Sequence, residues 1–66
     1  MLTVQEAQWE LYDKYKIRKS TVTLRKIMDE AADLRSFVVY TMTGQRLFRQ
    51  DGLATLAARW PEGRGR

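Results

Sequence analysis

The sequence predicts a small α+β domain in which two helices, a β-hairpin and a third helix follow one another in the order α-α-β-β-α. Three observations carry this reading. Apolar residues recur at helical spacing over 4–15 and again over 21–34, with only Lys16-Ile17-Arg18-Lys19 between the two stretches. Phe37-Val38-Val39-Tyr40-Thr41-Met42 is dense in β-branched and aromatic residues and is followed by a glycine-bearing turn. A last apolar stripe, Leu53, Leu56, Ala57 and Trp60, ends at Pro61.

Each element has its own signals. Thr3 followed by Glu6 is a capping box, in which each side chain satisfies a backbone donor left open at a helix start. Val4, Ala7, Leu11, Tyr12 and Tyr15 then form one apolar face, so the first helix is expected over 4–15. Trp9 falls off that face and is expected to cover a neighbouring element rather than meet a partner. Ser20 is a good N-cap for a second helix over 21–34, with Leu24, Ile27, Met28, Ala31 and Leu34 inward. The connector is short enough to impose a tight helix–turn–helix. Residues 37–42 and 46–49 pair as a hairpin around Thr43-Gly44-Gln45. Asp51 is the expected cap of a third helix over 52–60. Residues 61–66 are polar and glycine-rich and read as a short flexible basic tail after a domain spanning 1–60.

Composition narrows the function. The chain has 66 residues, enough for one domain with a thin core. It has no cysteine and no histidine, so the common thiolate and imidazole ligands and the usual general base are missing. No catalytic residue, metal or cofactor is expected, and no small-molecule ligand. No apolar run approaches the roughly 20 residues of a membrane span, and the first residues lack the basic and long apolar regions of a signal peptide. The expected location is the bacterial cytoplasm, at the nucleoid. Twelve Lys and Arg stand against eight Asp and Glu, a net charge of +4, which favours polyanionic partners.

The distribution of that charge is more telling than its sum. Arg18 and Lys19 precede the second helix and Arg25 and Lys26 lie in its first half, while Asp29, Glu30 and Asp33 come later. The helix macrodipole favours the opposite order by about 0.3–1 kcal/mol per charge. Local i,i+4 pairs, Arg25–Asp29 and Lys26–Glu30, are one explanation. Presentation of the cations to DNA is the favoured one, and the two are compatible, since an acid can hold an arginine extended toward a groove. Val22 projects outward in the same turn, where it either meets a thymine methyl or tucks against Ile17. The hairpin adds Gly44, which lets backbone approach closely, and Gln45, Arg46 and Arg49. The residues expected at double-stranded DNA are therefore Arg18, Lys19, Ser20, Thr21, Val22, Thr23, Arg25 and Lys26, with Gly44, Gln45, Arg46 and Arg49. A protein-interaction module anchored by Trp9, Tyr12, Tyr15, Tyr40 and Trp60 is the alternative of a different class.

At these residues the sequence resembles a known family. Leu2-Thr3-Val4-Gln5-Glu6 is similar to the opening of phage excisionases and their MerR-like winged-helix relatives. Ser20-x-x-Thr23-Leu24-Arg25-Lys26 resembles their recognition-helix start, and Gly44-Gln45-Arg46-Leu47-Phe48 with Asp51-Gly52-Leu53 resembles their wing and exit. The resemblance spans about 2–53 in the right order. It implies a winged helix–turn–helix and a recombination directionality factor, one that binds repeated sites, bends DNA, assembles side by side and helps an integrase excise an element. Ser20, Thr23, Arg25 and Lys26 would then serve the major groove and Arg46 the wing contact. The chain departs from the best-known excisionases by its third helix and its very short basic tail. The third helix brings it closer to the wider MerR-like group, which includes small transcription regulators of phages and plasmids. One module of this size covers only about 600–1,000 Å² on DNA, so cooperative head-to-tail self-association on neighbouring sites is expected.

Overall fold

A computed structural model describes residues 1–60, which form three helices and a three-stranded antiparallel sheet. The element order is β1 (Leu2–Thr3), α1 (Val4–Tyr15), α2 (Thr21–Glu30), β2 (Val38–Tyr40), β3 (Arg46–Phe48) and α3 (Leu53–Ala57). Strand β1 was not expected. It pairs with β3 through Leu2↔Phe48 and Thr3↔Leu47, so β3 is central in the order β1-β3-β2. Two residues carry no periodicity of their own, and only pairing with a chain segment more than forty residues away makes them a strand.

Thr3 is the last residue of β1 and the N-cap of α1. The capping box forms as expected: the Glu6 amide donates to Thr3 Oγ1 at 3.1 Å and the Thr3 amide donates to Glu6 Oε1 at 2.9 Å. Helix α1 ends at Lys16, a non-glycine residue in the left-handed region at φ 58° whose amide donates to the Tyr12 carbonyl. That left-handed turn, which costs an L-residue about 1–2 kcal/mol, redirects the chain so that Ile17 drops into the core at 3% exposure. The connector is thus basic outside and apolar inside.

Helix α2 starts at the expected place, with Ser20 Oγ accepting from the Thr23 amide at 3.2 Å. It is shorter than its apolar stripe suggested. It stops at Glu30, Ala31 turns extended at ψ 116°, and a 3₁₀ segment, Ala32–Phe37, follows. Leu34 still reaches the core from that segment. The reason is the sheet: β2 has to start at Val38 to stand opposite Phe48, and the Arg49 amide donates to the Phe37 carbonyl at 2.7 Å. Phe37 therefore closes the 3₁₀ turn instead of opening a strand.

The hairpin turns through Met42-Thr43-Gly44, with the Gly44 amide donating to Thr41 O and the Thr41 amide to Gln45 O, both at 2.9 Å. Gly44 takes a positive φ of 87°, as expected for a glycine at a hairpin tip. Beyond β3 the chain makes a 3₁₀ turn, Gln50–Gly52, before α3. Asp51 does not cap α3; its carboxylate accepts from Arg49 Nη2 at 2.8 Å. Gly52 is required here for space, because a Cβ would lie 2.5 Å from the Phe37 ring. The expected helix over 52–60 contracts to Leu53–Ala57, and the tail at 61–66, with the stop at Pro61, lies outside the described residues.

The core joins Val4, Ala7 and Leu11 of α1, Ile17 of the connector, Leu24 and Met28 of α2, Leu34, Phe48, and Leu53, Leu56 and Ala57 of α3. Phe48 is fully buried, with the Phe37 ring tilted against it at 6.1 Å. Two sequence expectations are corrected. Tyr12 is 48% exposed and Trp9 is 60% exposed, so neither covers the core. Among the described residues, no helix is long and apolar enough to cross a membrane.

Candidate nucleic-acid interface

The capped start of α2 fixes the orientation of its first turns. With Leu24 and Met28 buried and Ile27 half-buried against the core, the helical period sends Val22, Arg25, Lys26 and Asp29 outward, and all four are exposed. Val22 is 71% exposed while Ile17 is buried, so Val22 does not tuck against the connector. Thr21 and Thr23 are half-buried, and the Thr23 and Ser20 hydroxyls lie 3.0 Å apart in a mutual hydrogen bond.

The charge pairing differs from the i,i+4 scheme. Among the described residues, neither Arg25 nor Lys26 takes part in a salt bridge. Asp29 instead accepts from the hairpin: Arg46 Nη2 reaches Oδ1 at 2.8 Å and Oδ2 at 2.9 Å, and Arg46 Nε reaches Oδ1 at 3.1 Å. The Tyr40 hydroxyl donates to the same Oδ1 at 3.0 Å, and the Arg46 guanidinium lies 5.6 Å from the centre of the Tyr40 ring. Tyr40 and Arg46 are cross-strand partners, which puts both on one side of the hairpin. Burial works against the Arg46 charge, but the Tyr40 and Asp29 interactions outweigh it and hold the guanidinium above its ordinary pKa. Asp33 is likewise used inside the fold, accepting from Arg59 Nη2 at 2.7 Å.

This tie brings the hairpin tip beside α2. An open hollow of about 520 Å³ lies between them, lined by Arg25 of α2, Gly44, Gln45 and Arg46 of the hairpin, and Thr3 and Gln5 at the start of α1. Thr3 and Gln5 were not among the residues expected at DNA, because nothing in the sequence signals that the first turn of α1 would join the hairpin. Gly44 has open space around its Cα, and the Gln45 side chain is exposed.

The remaining expected residues are dispersed. Arg18 is exposed and stands 5.2 Å over the Tyr12 ring. Lys19 is half-buried, with Nζ 5.1 Å over the Trp60 ring. Arg49 lies at the far end of β3 from the tip, paired with Asp51. Three residues of strand place it about 10 Å from Arg46, so it does not share the hollow. Comparison of the chain with family models, with curated proteins and with solved structures finds no significant match.

Proposed function

We propose that the chain binds double-stranded DNA as a winged helix–turn–helix, with α2 in the major groove and the β2–β3 hairpin as the wing. The observation that carries this reading is the pair of cations, Arg25 and Lys26, that have no acidic partner among the described residues and lie on the exposed face of α2, with Arg25 beside the glycine tip of the hairpin. Asp29 of the same helix is matched by Arg46 rather than by Arg25. In this reading Arg25 takes a base edge, Lys26 a phosphate and Val22 a thymine methyl. Gly44 and Gln45 approach the sugar–phosphate backbone, and Ser20 and Thr23 support the start of the recognition helix. Arg46 acts one step back: it fixes the wing to α2 rather than reaching DNA itself.

The biological role we propose is that of an excisionase-like architectural factor, which bends DNA and works with an integrase. This part rests on the motif resemblance at 2–53 together with the small size of the module. Such a protein occupies neighbouring sites cooperatively. The test is a footprint on the attachment region of the element that encodes it, repeated over a range of salt. Protection of adjacent repeats is expected, with affinity falling at a log–log slope of about −0.9 per phosphate contact. Binding that ignores salt defeats the DNA reading. Protection confined to promoters, with no effect on excision, assigns the same surface to transcription regulation.

A further inference from the structure

We propose that Gln5, at the start of α1, is a further DNA-contacting residue, whose side-chain amide donates to a backbone phosphate lying across the hollow between α2 and the hairpin tip. This contact rests on the DNA reading of α2 and extends it to the first helix, away from both the recognition helix and the wing. The hollow, of about 520 Å³, joins three segments far apart in sequence: Thr3 and Gln5 from the start of α1, Arg25 from α2, and Gly44, Gln45 and Arg46 from the hairpin.

The glutamines of the chain fall into two pairs. Gln8 Nε2 donates to the Lys19 carbonyl at 2.8 Å and Gln50 Nε2 to Glu10 Oε1 at 3.4 Å, so both are engaged within the fold. The other two, Gln5 and Gln45, are exposed and make no side-chain hydrogen bond among the described residues, and both line this hollow. Arg25, exposed and without an acidic partner among the described residues, lines it too. Three polar side chains that the described fold does not use thus border one space.

Strand β1 fixes where Gln5 stands. Thr3 pairs with Leu47, the neighbour of Arg46 on β3, and caps α1 two residues before Gln5. The first turn of α1 is therefore tied to the strand that carries the wing, and its backbone needs little further ordering on binding. Charge selects the occupant. Among the described residues, the lining holds two guanidinium groups, Arg25 and Arg46, and no carboxylate. Asp29 balances Arg46, which leaves Arg25 to make the hollow positive. Glu6, the acid next to Gln5 in sequence, is held in the capping box, where it accepts from the Thr3 amide at 2.9 Å, and it does not line the hollow. An amide N–H beside a guanidinium is best satisfied by an oxyanion, and a phosphate of the DNA strand that passes between α2 and the hairpin supplies one. Gln5 is itself neutral, so it positions that phosphate without adding to the salt dependence.

The experiment measures the affinity of the full chain for a short duplex from the attachment region over a range of salt. It is repeated on duplexes in which one phosphate at a time is replaced by a neutral methylphosphonate. Gln5→Ala is expected to lower affinity about fivefold, equivalent to about 1 kcal/mol, with the salt slope kept. That loss is expected to vanish on the duplex whose neutral linkage removes the partner phosphate. Gln5→Lys is expected to steepen the salt slope by about 0.9, because a cation now meets that phosphate. If Gln5→Ala lowers the melting temperature, the slope of Gln5→Lys carries the comparison. The Gln5 contact is overturned, with the DNA reading intact, if Arg25→Ala and Lys26→Ala weaken binding while both Gln5 variants keep the parent's affinity and slope. It is also overturned if the Gln5→Ala loss persists at every methylphosphonate position. A parent chain that does not bind duplex DNA overturns both.

Discussion

The two halves of α2 use charge in opposite ways. In the later half and just beyond it, two acids are used inside the molecule: Asp29 holds Arg46 and Tyr40 of the hairpin, and Asp33 holds Arg59 after α3, while Glu30 stays exposed. The earlier half leaves Arg25 and Lys26 without an acidic partner among the described residues. An acid near a helix C-terminus is unfavourable with respect to the macrodipole, and the hairpin arginine compensates for it. The difference teaches that charge order alone does not mark an interface. The proposed interface rests instead on which cations the described fold leaves without an acid, Arg25 and Lys26.

The largest expected effect comes from removing the support shared by both halves. Phe48 lies on the central strand, fully buried, and Phe48→Ala is expected to cost about 3–5 kcal/mol. In a 66-residue domain that is enough to unfold most of the population at room temperature, which thermal denaturation followed by circular dichroism will read. Retention of a cooperative transition near the parent's midpoint would mean the core lies elsewhere.

The next effect separates the two halves by function. Arg25→Ala is expected to lower specific DNA affinity by about 1–3 kcal/mol with unchanged thermal stability. Lys26→Ala is expected to weaken all sequences evenly and to flatten the salt slope by about one unit. Parent-like binding by both variants would remove α2 from the interface.

Asp29→Ala and Arg46→Ala are expected to act on the fold rather than on phosphate. The pair is partly exposed, at 45% and 20% of the respective side chains, so solvent screening limits its worth to about 0–1 kcal/mol despite the two-pronged geometry. Both variants are expected to lower the melting temperature slightly and to weaken DNA binding by loosening the hairpin, with the salt slope kept. The family resemblance implies a direct wing contact for Arg46; its engagement by Asp29 is the ground for expecting the slope to be kept. A slope reduced by one unit in Arg46→Ala would restore the direct contact.

The smallest effect is expected at the tip. Gly44→Ala meets no neighbouring atom but has to hold a φ of 87°, a strain of about 1 kcal/mol. Hydrogen exchange at Thr41 and Gln45 is the sensitive readout, and unchanged protection there would show that the turn relaxes freely.

What the sequence determined by itself was local. Thr3, Glu6 and Ser20 announced two helix starts through side-chain-to-backbone bonds made within three residues, and these form as expected. Apolar spacing found Leu24, Met28, Leu34, Leu53 and Leu56 in the core, and the glycine-bearing turn signal found the Gly44 tip of the hairpin. The exposed cations of α2 followed from the same periodicity. Tertiary structure alone decided the rest. Strand β1 exists because β3 offers it an edge, α2 stops at Glu30 because β2 has to register with Phe48, and Asp51 pairs with Arg49 instead of capping α3. Asp29 chose Arg46, seventeen residues away, over the Arg25 on its own helix. Helix periodicity and capping are set by bonds of three or four residues' reach, which a sequence displays. Strand edges and long-range ion pairs depend on which surfaces the packed core brings together, and that is fixed only once the chain has closed on itself.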